Sequence, residues 1–145
     1  MKPCHILPAV AAAVFNESGE ILLQKRADVD RWCVLSGHVE FGETVEQAVL
    51  REVKEETNVE GRILRFIGIY SSPASQTYHY QDRSVQYITS YFEVQLQQHL
   101  DLDFSNQETK ELRFFALNDL PADLAQISEY WLSDLLDKRQ AAFVR

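Results

Sequence analysis

Two cysteines in 145 residues, Cys4 and Cys33, are too few for a disulfide framework, which excludes the stapled secreted mini-domain class. Neither reads as a nucleophile, and Cys33 is expected to pack beside Trp32. Basic residues are also scarce: 14 Lys and Arg stand against 22 Asp and Glu, a formal net charge of −8. A non-specific grip on duplex nucleic acid needs basic surface, so that class is excluded too. Nucleotides are not excluded, because a metal and a few basic side chains suffice for their phosphates. No apolar run approaches the roughly 20 residues of a membrane span. The segment Ile6 to Phe15, ILPAVAAAVF, follows a single lysine, contains Pro8 and runs into a turn. It reads as a buried strand rather than the apolar core of a signal peptide. Repeats, low-complexity tracts and linkers are absent. The chain is therefore expected to be one domain over 1–145, cytoplasmic, with no membrane contact.

What is present is an ordinary globular composition, 46% hydrophobic and 25% charged. The chain is long enough to bury a core. Asn16-Glu17-Ser18-Gly19 reads as a turn. Glu20 to Lys25 reads as the second strand of a hairpin with the segment before it. Further strands are expected at Arg62 to Tyr70, Val85 to Leu96 and Leu112 to Leu117. In the first of these the apolar set is Ile63, Phe66, Ile67 and Ile69. From about Asp123 to Arg139, the spacing of Leu124, Ile127, Tyr130, Trp131, Leu135 and Leu136 suits an amphipathic helix. Gln97 to Gln107 is polar and acidic and reads as a loop.

The densest chemistry lies between Gly37 and Val59, GHVEFGETVEQAVLREVKEETNV. Thr44 can cap a helix there, with Gln47 reaching back in a capping box. Asn58 tolerates the left-handed conformation just past a helix end, and Val59 can fold back onto Val53. Each helical residue advances about 100°. With Val45 at zero, Val49 falls at about +40° and Val53 at about +80°, so these valines form the expected buried stripe. Glu56 at about +20° and Glu52 at about −20° lie in line with that stripe, and Glu55 lies at about −80°. Gln47 and Lys54 face solvent.

A run of glutamates is ordinarily a solvated face. Here the acids sit on the packing face and crowd the C-terminal turns, where the helix dipole disfavours negative charge. Something positive should offset them. Arg51, four residues before Glu55, is one candidate. A hard divalent cation such as Mg²⁺, which takes carboxylate oxygens and bridges to phosphates, is the better one.

The stretch resembles the signature box of the Nudix hydrolases, G-x5-E-x7-R-E-U-x-E-E-x-G-U with U aliphatic. Gly37, Glu43, Arg51, Glu52, Val53, Glu55, Glu56 and Val59 match, while Asn58 stands where the family usually has glycine. Upstream, the common W-x-x-P-G-G reads Trp32-Cys33-Val34-Leu35-Ser36-Gly37, with Leu35 and Ser36 in place of proline and the first glycine. The resemblance implies a Nudix-like α/β/α sandwich with a mixed central sheet and a C-terminal helix. It implies metal-dependent hydrolysis of a phosphoanhydride bond in a nucleoside diphosphate linked to another group. ADP-ribose-like compounds, nucleoside triphosphates and dinucleoside polyphosphates stay open as substrates.

Under that resemblance Glu52, Glu55, Glu56 and the Ser36 backbone carbonyl hold Mg²⁺, with Mn²⁺ as an alternative. Glu52, Glu55 and Glu56 form the catalytic set. A further acid just before or at the Leu112 to Leu117 strand completes the metal site or serves as base, and Glu111 is favoured over Glu108. Gly37, Glu43 and Arg51 are structural. Arg26 and Arg31, with Lys25, just before the box are candidates for phosphate contacts. In the polar segment Ser71 to Arg83, Tyr78 and Tyr80 are candidates for stacking on a base. The alternative to stacking is that they pack this segment onto the sheet. His38 reads as structural. Homodimers are common in the family, so a dimer is an open expectation. Two other classes remain: a Nudix-fold module that senses a nucleotide without hydrolysing it, and a non-catalytic metal-binding interaction domain.

Overall fold

The computed structural model describes residues 1–28 and 30–145. The chain runs β1 (Cys4–Ala13), β2 (Ile21–Arg26), β3 (Trp32–Cys33), β4 (Leu35–His38), α1 (Val45–Thr57), β5 (Gly61–Tyr70), α2 (Pro73–Gln76) and β6 (Thr77–His79). It continues through β7 (Ser84–Leu96), β8 (Thr109–Phe115), α3 (Trp131–Leu136) and β9 (Phe143–Val144). The main sheet is mixed, in the order β4-β1-β7-β5-β9, and β6 adds to the far end of β7. β1 and β7 are parallel from Cys4↔Ser84 to Ala13↔Glu93, β4 pairs antiparallel with β1 and β5 antiparallel with β7, and β9 runs parallel to β5. A second, antiparallel sheet runs β3-β2-β8.

Of the expected buried strand Ile6 to Phe15, only Ala9 to Val14 is buried and Ile6 is 65% exposed, and the buried half shows why the run lacks polar residues. A strand covered on both faces loses the usual alternation. Val10 and Ala12 pack with Ala48, Val49 and Val53 of α1. Ala11 and Ala13 face the other way, onto Trp32, Tyr91 and Trp131. The alanines are small because two layers close on this strand. The result is a sandwich with α1 over one face of the main sheet and the second sheet with α3 over the other. Among the described residues, no helix is long and apolar enough to cross a membrane.

Four local expectations change. β2 does not form a hairpin with β1. The two meet in a Phe15–Ile21 bridge, with the Leu22 N–H donating to the Val14 carbonyl, around a turn in which the Asn16 side chain accepts from the Ser18 and Glu20 backbones; β2 then pairs with β3 and β8 in the second sheet. In the valine stripe, Val45 is 37% exposed while Val49 and Val53 are buried, since the first turn of α1 overhangs the sheet. On β5, Phe66 and Ile69 are exposed; register shifts at Ile63/Arg65 and Phe66/Gly68 break the alternation. The C-terminal helix is confined to Trp131–Leu136. Upstream of it, Trp32 donates to the Asp123 carbonyl and accepts from the Ala125 backbone. These strand-like bonds hold Leu124 beside Trp32 and remove it from any helix.

Candidate active site

The site is built where β4 meets α1. Thr44 caps α1 through the reciprocal bonds of a capping box: Gln47 N–H donates to Thr44 Oγ1 at 3.1 Å, and Thr44 N–H donates to Gln47 Oε1 at 2.9 Å. At the other end Asn58 adopts φ 61°, ψ 21°, the left-handed cap, and its N–H donates to the Lys54 carbonyl. With both ends set, Glu52 and Glu56 fall on the buried side of the helix and Glu55 on the exposed side.

Arg51 organises the loop. Its Nε donates to Glu43 Oε2 at 3.0 Å and its Nη2 to Glu43 Oε1 at 2.7 Å, the two-pronged match that a guanidinium fork makes with a carboxylate. Nη2 also donates to the His38 carbonyl at 2.8 Å. Nη1 donates to Glu52 Oε1 at 2.9 Å and Glu55 Oε2 at 3.2 Å. One side chain thus ties the box loop, β4 and two of the acids together.

Gly37 lies against Glu52 so closely that a Cβ there would come within 2.0 Å of the Glu52 carboxyl carbon. Glu52 therefore sits against bare backbone. Burial pushes its pKa up to about 7, against the pull of Arg51, with Glu55 and Glu108 adding to the rise. Glu56 is 2% exposed. Burial, reinforced by Glu52, pushes it well above the usual carboxylate range, while Gln24, Arg26 and the Ser36 backbone pull it back.

A polar chain crosses the core to reach Glu56. The Thr109 hydroxyl donates to Gln24 Oε1 at 2.9 Å, which orients the amide so that Nε2 donates to Glu56 Oε1 at 3.0 Å. Among the described residues Glu56 Oε2 has no hydrogen-bond partner. A buried carboxylate oxygen left unpaired beside a second carboxylate is costly unless a cation meets it. The donor set, all oxygen, suits a hard divalent ion, so Glu52, Glu56 and the adjacent Ser36 backbone fit one. Among the described residues, however, no three His, Cys, Asp or Glu side chains are grouped to hold a metal. Glu52 Oε1 and Glu55 Oε2 are turned onto Arg51 instead.

Glu111 is not brought to this cluster. In the β2–β8 register Gln24 lies opposite Leu112 and Lys25 opposite Glu111. Gln24 faces Glu56, so Glu111, one residue off, faces the other side, where it pairs with Arg113. A bulge between Lys25 and Arg26 turns Thr109 back to the Gln24 side. Glu108 is the acid near the site: it acts on both Glu52 and His38. Asn106 holds it there, donating to the Glu55 carbonyl at 2.9 Å and accepting from the Glu108 N–H at 2.8 Å. Gln24, Thr109 and Asn106 were not among the residues expected at the site. The one sequence signal was a glutamine following the aliphatic run Ile21-Leu22-Leu23.

The basic candidates separate. Arg26 is clamped by Asp28 through Nε and Nη2, at 2.9 and 3.2 Å, close enough to Glu56 to act on it. Arg31 donates through Nη2 to the Leu124 carbonyl at 2.9 Å. Lys25 lies over the Trp32 ring. The segment Ser71 to Arg83 folds as a short helix and an edge strand. Tyr78 and Tyr80 stack at 6.4 Å, and each is 38% exposed. Tyr78 meets Tyr87 edge-on at 5.7 Å, and Tyr80 and Tyr87 share a hydroxyl bond of 3.0 Å. His38 stacks on Tyr87 at 5.4 Å, a packing role. A cavity of about 410 Å³ opens beside these rings, lined by Arg31, Tyr78, Leu124, Gln126, Ser128 and Glu129 among others.

The sequence matches the NUDIX domain family over residues 5–135. It is 34% identical over 121 residues to an ADP-ribose pyrophosphatase of Methanocaldococcus jannaschii, covering 81% of this chain and 67% of that protein. It is 44% identical over 63 residues to a putative 8-oxo-dGTP diphosphatase of Bacillus subtilis, covering 43% of this chain but only 42% of that one, less than half its length. Among solved structures, a MutT NUDIX hydrolase from Burkholderia pseudomallei superposes with a TM-score of 0.73 at 22% identity, covering 90% of this chain and 98% of that one. An ADP-ribose pyrophosphatase from Streptococcus suis superposes at 0.71 and 22%, covering 96% and 97%. At these identities the structural likeness speaks to the fold.

Proposed function

Because the chain belongs to the NUDIX domain family, we propose that it is a pyrophosphohydrolase, cleaving a phosphoanhydride bond in a nucleoside diphosphate linked to another group with the help of a divalent cation. One observation carries the reading: Glu52 and Glu56 are buried side by side, and Glu56 Oε2 has no partner among the described residues. Structural ion pairs do not leave such an atom, and solvated surface acids are not buried.

Glu52, Glu56, Glu55 and the Ser36 carbonyl are the proposed ligands, with Mg²⁺ the preferred ion. Bound there, the cation would neutralise the pyrophosphate and lower the pKa of a water bound to it. The protein's own part is preorganisation. Gln24, fixed by Thr109, aims Glu56. Arg51 holds Glu52 and Glu55 and stitches both to the loop. Gly37 lets Glu52 approach the β4 backbone. Arg26 supplies positive charge on the Glu56 side, where phosphate oxygens would arrive. Glu108, rather than Glu111, is the proposed further acid, as a ligand or as the base that takes the proton of the attacking water.

The named relatives divide between an ADP-ribose pyrophosphatase and an 8-oxo-dGTP diphosphatase. Both substrate classes therefore enter the test, which is a nucleotide panel with Mg²⁺ and identification of products. Release of phosphate, pyrophosphate or a nucleoside monophosphate supports the enzyme. Tight nucleotide binding without turnover favours the sensing module instead.

A further inference from the structure

α1 covers only part of the main-sheet face beneath it. Residues paired across neighbouring strands share a face, so Val10, Ala12, Phe92, Val94 and Ile63 all lie under α1. On the same face, beyond α1, the register places Ile88 on β7, Pro8 and Ile6 on β1, Phe66 and Ile69 on β5, and Val144 on β9. Gln86 and Ser90 complete the strip, so no position in it carries a charge. Ile6 is 65% exposed and Val144 82%, with Ile88 at 39% between them. Single exposed apolar side chains are ordinary, but a contiguous uncharged strip of them marks a contact surface.

The strip has the dimensions of a helix. Along β7 it runs from the level of Phe92 to that of Gln86, roughly 20 Å, and from β1 across to β9 it measures about 14 Å. An α-helix is roughly 10–12 Å across, and about 13 residues of it span that length. α1 forms one wall. Its Leu50 lies against Gly61 of β5, 3.6 Å from where a Cβ would stand, so the Leu50 flank is turned toward the strip. Glu46, one turn before Leu50, is on the same flank. It is exposed, and among the described residues its side chain makes no hydrogen bond or ion pair.

We infer that this strip seats an amphipathic helix of a partner protein, apolar where it meets Ile88 and Ile69 and basic on the flank that runs beside α1. A second copy of this chain does not fit. α1 stands a helix thickness above the strip, so the sheet of another copy meets the exposed crest residues Gln47 and Lys54 before it reaches Ile88. Two chains of net charge −8 also repel each other. A single helix is narrow enough to drop to the floor beside α1. Glu46 and the net charge select a cationic one. The inference stands apart from the hydrolase reading, because neither metal nor substrate takes part.

The probe is a synthetic helical peptide of about 14 residues with leucines at i, i+3, i+4 and i+7. It is made with a lysine flank, with a glutamate flank, and with the leucine stripe scrambled, and titrated in EDTA by fluorescence anisotropy. The lysine-flanked peptide should bind saturably and about threefold tighter than the glutamate-flanked one, while the scrambled peptide does not bind. Glu46→Lys should invert the order of the first two; the residue faces solvent, so this variant carries no folding cost. Ile69→Thr with Ile88→Thr keeps strand propensity and should weaken binding about tenfold. Absence of saturable binding, an order unmoved by Glu46→Lys, or an affinity unmoved by the threonine pair overturns the docking site. Sedimentation of the protein alone should show a monomer. A dimer that the threonine pair dissolves, or pelleting with phosphatidylcholine vesicles, would assign the strip to another occupant and overturn the helix.

Discussion

Replacing Glu52 by glutamine separates a cation site from both a salt bridge and a surface charge. Glutamine keeps the side-chain shape and can still accept from Arg51 Nη1, while Arg51 retains Glu43, Glu55 and the His38 carbonyl. What disappears is a charge whose side chain is 11% exposed. Burial raises Glu52 from 4.5 to about 7, so the native state holds a proton that the unfolded chain has released between those values. The contribution is present in full below about pH 4.5 and is lost as pH rises to about 7. Below that window the variant and wild type should therefore melt together. Above it the wild type carries a penalty that glutamine lacks. A shift of this size corresponds to about 3 kcal/mol at full weight, and about 1–3 kcal/mol is expected once local solvent screening is allowed for. For a chain of this length that is roughly 3–10 °C in Tm at pH 8 in EDTA. Activity should move the other way: with saturating Mg²⁺ and an identified substrate, kcat should fall at least about a hundredfold. Melting curves at pH 4 and pH 8 and steady-state rates are the assays. A variant less stable than wild type at pH 8 would refute the buried-charge reasoning. Full retention of rate would remove Glu52 from the metal site and take the chemical basis of the hydrolase reading with it.

Arg51→Lys should lower Tm by the equivalent of about 1–3 kcal/mol and slow turnover, because an ammonium cannot reproduce the paired contacts to Glu43 while reaching Glu52 and Glu55; an unchanged Tm would deny Arg51 its structural part. Asn58→Gly should be neutral or stabilising by up to about 1 kcal/mol, since glycine meets φ 61° without a Cβ penalty; a clear loss in thermal denaturation would show that Asn58 does more than cap. Gly37→Ala should cost about 1–3 kcal/mol and most of the activity, because the new methyl displaces the Glu52 carboxylate; a wild-type rate with weakened Mg²⁺ binding absent in calorimetry would show that Glu52 need not sit there.

The box helix was legible in the sequence because its determinants are local. Caps lie within three residues of what they cap, and the 3.6-residue period places Glu52 and Glu56 on one side whatever packs against them. The Arg51–Glu43 pair was legible only through the resemblance, and the left-handed Asn58 through the small set of residues that tolerate it. β1 was recognisable from its apolar density, but its small alanines gain meaning only when two layers close on it. Strand partners are not local. Nothing in Glu20 to Lys25 says that β2 abandons β1 for β8, and that pairing decides which acid reaches the site. Glu108 and Glu111 are alike as residues. The Asn106 contact to α1 keeps Glu108 near Glu52, while the register of β8 leaves Glu111 on the opposite face. The same holds for Gln24, an unremarkable residue in one strand until Thr109 of another fixes its amide. Local sequence thus determined the charged helix and its chemistry; long-range register determined which other side chains meet it, because a one-residue step along a strand reverses the face.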